Sequence, residues 1–129
     1  MRALLLDTRT WVHSMATPGA LSDRARKEIA AAASIFVSPI SFLEIGQVVR
    51  LGLWPEMAGH VATLDRVLAD QGGQVAPFTP EIALHASLMD WDHRDPFDRV
   101  LAATSEISGL PLVTDDPAFA ELPRLHRVW

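Results

Sequence analysis

Short apolar runs, each separated from the next by a stretch with helical spacing, constrain the fold of this chain more than any other feature. ALLLD at 3–7, IFVS at 35–38, QVAPF at 74–78 and PLVT at 111–114 read as buried strands, and HRVW at 126–129 as a last short one. Between them, Ser22 is a candidate N-cap for a helix over about 22–33. SFLEIGQVVRLGLW puts Phe42, Ile45, Val48, Val49 and Leu53 at helical spacing, giving a helix from Ser41 to near Gly52. An amphipathic helix is expected over about 56–71, closed by Gly72-Gly73, and another from Pro80 to about Met89. A final helix opens at Asp95-Pro96 and stops at Gly109. Strands alternating with helices need crossover connections, so the expected fold is α/β, an open, mostly parallel sheet flanked by helices. The 129 residues suit one compact domain, 1–129.

Where such a sheet ends, the sequence puts carboxylates. Asp7 closes the first strand, and Asp115 and Asp116 close PLVT. Glu44 and Asp98 each fall at the expected start of a helix. Ligands of open α/β sheets bind outside the carboxyl ends of the strands, so the fold could gather these acids at one edge. Carboxylates forced together repel, and a hard divalent cation such as Mg2+ or Mn2+ is what makes a cluster of them tolerable. Such an ion can polarise a phosphoryl oxygen and activate water, so phosphodiester hydrolysis needs no covalent nucleophile.

Most of these acids also have a local explanation. Ser41-x-x-Glu44 matches a capping box; Asp95 before Pro96 is a natural N-cap, with Asp98 complementing the helix dipole; Asp115-Asp116-Pro117 could be a turn and a cap. Asp7, directly after three leucines, has no evident capping partner, and a buried acid without one is costly.

Other chemistries are poorly supported. The chain has no cysteine, which removes disulfides, thiolate nucleophiles and Cys-ligated zinc, and its five histidines form no HExxH pair. There is no Gly-rich phosphate loop or nucleophile elbow. A net charge of -5 argues against gripping nucleic acid by bulk positive charge, although ten of the eleven basic residues are Arg, which suits bidentate phosphate contacts. Arg99, beside Asp98, is a substrate-facing candidate, with a salt bridge to a nearby carboxylate as the alternative. The four tryptophans read as core or interface residues, and His93 as a residue that could help position its loop. No apolar run is long enough for a membrane span, and the protein is expected to be cytoplasmic.

LLLDT, SPISFLEIGQVVRLG, HRDPFDRVLAATS and LVTDDPAF, in this order over nearly the whole chain, resemble PIN-domain proteins, and specifically the VapC toxins of bacterial toxin-antitoxin pairs. The resemblance implies a Mg2+ or Mn2+ site, a homodimer, and endoribonuclease activity that leaves 5'-phosphate and 3'-hydroxyl ends and is restrained by a partner antitoxin. It matches Asp7, Glu44 and Asp98 to the first three acids, and LVTxD selects Asp116 over Asp115 as the fourth. Asp95 falls at the margin of the metal site, while Thr8 and Thr114 match polar positions beside it. Arg9 and Thr10 depart from the pattern, standing where many relatives carry a His and an apolar residue, and Asp115 adds a charge next to the fourth acid, which leaves that choice open. Two rival classes remain, an RNA- or protein-binding module that has kept its acids and a small-molecule phosphohydrolase, the latter favoured by a closed pocket rather than a groove.

Overall fold

A computed structural model describes residues 2–129. Five strands, β1 (Ala3–Leu6), β2 (Ser34–Val37), β3 (Gly73–Val75), β4 (Leu112–Val113) and β5 (Arg127–Val128), form one sheet in the order β3-β2-β1-β4-β5. Every pairing is parallel. The chain builds outward from β1 through β2 to β3, then returns to the other side of β1 with β4. The reversal opens a crevice at the carboxyl ends of β1 and β4.

Side chains alternate across the sheet. Leu4 and Leu6 of β1 join Val37, Val113 and Val128 on one face, while Leu5 joins Leu112 on the other. All three leucines are at most 2% exposed, which explains why the run is continuously apolar. Burying each stabilises the fold by about 1.5–3 kcal/mol relative to exposure.

Six helices connect the strands: α1 (Thr8–Ala16), α2 (Asp23–Ala31), α3 (Pro39–Arg50), α4 (Leu64–Asp70), α5 (Pro80–Leu88) and α6 (Pro96–Ser108). Three departures from the sequence expectation matter. Helix α1 follows β1 at once, with Asp7 as its N-cap, accepting from the Thr10 amide at 2.8 Å; the carboxylate without a capping partner therefore has one. Helix α3 begins at Pro39 under a Ser38 cap, so Ser41 lies inside it, Glu44 falls in its second turn, and there is no Ser41–Glu44 capping box. The single helix expected over 56–71 is instead two 3-10 turns, Pro55–Met57 and Val61–Thr63, before the short α4. Gly59 weakens the helical run from within, and Met57, Leu64 and Leu68 supply its buried contacts. Among the described residues no helix is long and apolar enough to cross a membrane.

Candidate metal centre

Four segments of the chain meet at the crevice. The end of β1 brings Asp7, Thr8 and Arg9; α3 brings Glu44; the loop into α6 brings His93, Asp95 and Asp98; the end of β4 brings Asp115 and Asp116. Together with Val48, Leu53, Trp54 and Pro117 they line a half-open cleft of about 680 Å3. Six carboxylates thus share one cavity, with Arg9 the one Lys or Arg side chain among the lining residues.

The capping and clustering readings turn out to be compatible, because a carboxylate has two oxygens. Asp7 Oδ1 accepts from Thr10 N at 2.8 Å, Asp95 Oδ1 from Phe97 N at 2.9 Å, and Asp116 Oδ1 from Ala118 N at 2.9 Å. Each acid is thereby fixed by a helical N-terminus, whose partial positive charge favours the ionised form, and keeps a second oxygen for other work. Asp115 is exposed, and its backbone carbonyl accepts from Arg127. Asp116 is more buried, tied through its amide to Thr114 Oγ1 at 3.1 Å. It also lies with Asp98 and His93, one potential ligand atom from each within 4.8 Å of the others.

Buried hydroxyls support the acids from beneath. Thr8 Oγ1 and Ser41 Oγ are 2.8 Å apart, which links α1 to α3 below Glu44. Thr114, fully buried, does not line the cleft; its hydroxyl accepts from the Asp116 amide and favours the ionised form of Asp7. Burial raises the Asp7 carboxyl above its usual range, with the Thr114 and Thr10 hydrogen bonds opposing the rise. Burial likewise raises Glu44, opposed by Thr8 and reinforced by the charges of Asp95, Asp98 and Asp7. Asp98 is pushed up to about 6, first by burial and then by Asp95 and Asp116, against the hydrogen bond from His93. A divalent cation bound among three acids held reluctant to ionise in one cleft would relieve them, and their hard oxygen donors fit Mg2+ or Mn2+.

Arg99 does not face this cleft. Its guanidinium donates to the carbonyls of Ala86, Met89, Trp91 and His93 at 2.7–2.9 Å, with a longer contact to Ser87. Neither the substrate-facing reading nor the salt bridge holds, because five backbone oxygens, two in the last turn of α5 and three in the loop to α6, absorb its donors. Two residues at the site were not expected from the sequence. His93 Nε2 lies 2.7 Å from Asp98 Oδ2, and Arg9 lines the cleft. The HRD segment offered no ligand spacing that would have distinguished His93.

The PIN domain family model matches residues 4–125 of the chain. No curated protein matches it in sequence. Among solved structures, the DNA-bound VapBC from Salmonella typhimurium is similar at 17% identity and a TM-score of 0.68, over 98% of this chain and 97% of that one. VapBC2 from Rickettsia felis, bound to a DNA fragment from its promoter, is similar at 16% identity and a TM-score of 0.63, over 97% and 96% of the two chains. At these identities the neighbours speak for the fold, whereas the family model spans nearly the whole sequence and all six clustered acids, and on that match the chain belongs to the PIN domain family.

Proposed function

We propose that this protein is a Mg2+- or Mn2+-dependent endoribonuclease, the toxin half of a VapBC-type toxin-antitoxin pair. The observation that carries the reading is the convergence of Asp7, Glu44, Asp98 and Asp116, from four distant segments, on one cleft. Asp7, Glu44, Asp98 and Asp116 would hold one or two ions, directly or through water, with Asp7 and Asp98 as the direct ligands, since Mg2+ takes one or two protein carboxylates and keeps several waters. When bound, the ion supplies Lewis acidity to the phosphodiester and to the attacking water.

The remaining steps belong to the protein's own groups. Thr8 orients Glu44, and Thr114 steadies both Asp7 and Asp116, so the acids keep their relative positions as substrate arrives. Asp95 caps α6 and stands at the rim of the ion's surroundings, while exposed Asp115 adds negative potential beside Asp116. A half-open cleft suits a polynucleotide strand better than a small molecule that must be enclosed. Cleavage leaves a 5'-phosphate and a 3'-hydroxyl.

Two partners follow from the same reading. Exposed Leu43, Leu53, Leu84 and Leu88, each at least 59% accessible, provide apolar surface for a homodimer and for the antitoxin. The antitoxin inhibits by setting a basic side chain among the acids. The deciding experiment is sequencing of RNA ends after brief expression of wild type and Asp7→Asn, a change that keeps the α1 cap because Asn also accepts there. New 5'-phosphate ends that appear with wild type alone are the expected result; identical ends from both would remove the catalytic reading.

A further inference from the structure

The loop from Trp91 to Asp95 has neither helix nor strand to hold it, yet it delivers His93 to the acidic cleft. Two consecutive residues in the first turn of α6 catch it. Asp98 Oδ2 meets His93 Nε2 at 2.7 Å, while Arg99 Nη1 donates to the carbonyls of His93 at 2.9 Å and of Trp91 at 2.7 Å. The imidazole also stacks on Trp91, with centroids 4.7 Å apart and planes 28° from parallel. Trp91 is itself buried against Phe119 at 5.5 Å. His93 is thus fixed at its ring face, its ring edge and its backbone.

Arg99 already ties the loop to α6 through the Trp91 and His93 carbonyls, a contact that does not require the ring to be aimed at Asp98. An ionised carboxylate can only accept, so Nε2 must carry the proton and donate it to Asp98 Oδ2. That nitrogen is then not available as a ligand. Among the described residues no hydrogen bond engages Asp98 Oδ1.

We propose that His93 is a positioning residue for Asp98, holding one carboxylate oxygen so that the other is presented in a fixed orientation to a divalent cation in the cleft. The inference rests on the metal-centre reading given above and deepens it. Partners that hydrogen-bond a ligating carboxylate set its orientation, and losing one typically weakens metal binding about 10- to 100-fold. Stacking on Trp91 gives the device its stiffness, since a ring free to swing would orient nothing.

The test measures Mn2+ binding by titration calorimetry on wild type, His93→Ala, His93→Gln and Asp98→Asn, with pulsed electron paramagnetic resonance of the bound Mn2+ and a thermal melt of each protein. His93→Ala is expected to lower Mn2+ affinity about 10- to 100-fold. His93→Gln, whose side-chain amide can donate at similar reach, restores most of the loss. The wild-type resonance shows no coupling to an imidazole nitrogen, and both His93 variants melt within about 4 °C of wild type because Arg99 still anchors the loop. Undiminished affinity in His93→Ala, nitrogen coupling in wild type, or a Gln variant as defective as the Ala variant would each overturn the positioning role. If Asp98→Asn loses Mn2+ while His93→Ala keeps it, the role of His93 alone falls. If Asp98→Asn binds Mn2+ like wild type, the metal centre falls with it.

Discussion

Replacing Asp98 with Asn should make the metal-free protein more stable at neutral pH, the opposite of what removing a structural side chain does. The Asp98 carboxyl is raised from 3.8 to about 6, with burial as the largest cause. A group whose folded pKa lies above its unfolded value contributes stability below the unfolded pKa and loses it as pH rises through the folded one. Above pH 6 the folded protein therefore holds a charge that costs about 3 kcal/mol at full value. The side chain is 19% exposed and receives a hydrogen bond from His93, so about 2 kcal/mol is the better figure. Asn keeps a carbonyl for His93 and carries no charge. In EDTA at pH 7.5, Asp98→Asn is expected to melt about 8 °C above wild type. The gain shrinks to about a third at pH 4.5, where most of the wild-type carboxyl is already protonated in the folded state. Adding Mn2+ should raise the wild-type midpoint and leave the variant's nearly unchanged, since a ligand stabilises the state that binds it. A variant that melts at or below wild type in EDTA at pH 7.5 would refute the claim that the cleft is electrostatically strained.

Arg99→Met should cost about 2–4 kcal/mol, less than four charge-assisted hydrogen bonds at full value because water can reach some of the freed carbonyls. A denaturant midpoint shifted by less than about 1 kcal/mol would contradict the anchoring role. Gly73→Ala should cost about 1–3 kcal/mol, since a Cβ there would sit 2.3 Å from Leu68 Cδ1 and 3.2 Å from the Leu68 carbonyl, at a core side chain with little room to move. An unchanged midpoint would mean that α4 shifts freely over β3.

How far the sequence could be read varied with how local the governing physics is. Asp95-Pro96 and Gly109 marked the ends of α6 as expected, because a cap, a proline at the first helical position and a glycine at φ 68° act within a few residues. The α3 cap lies at Ser38, three residues before the Ser41 that the sequence suggests; Ser41-x-x-Glu44 mimics a capping box, while Ser38-Pro39 carries the true signal. Helix α1 was missed altogether. Its threonines and valine are indifferent helix formers, and it is held by the Asp7 cap and the burial of Trp11, whose indole donates to Gln71 at 2.9 Å from 60 residues away.

The sequence by itself determined the alternation of apolar strands with helices, and hence a parallel sheet with acids at its carboxyl edge, because periodicity and strand ends are written in neighbouring residues. Only the tertiary structure decided which acids share a cavity, that Arg99 serves the backbone while His93 serves Asp98, and that three capping carboxylates each keep a second oxygen. Those outcomes depend on contacts between segments up to a hundred residues apart, such as the Thr10 hydroxyl on the Val113 carbonyl, where no spacing rule reaches and packing alone sets the distances.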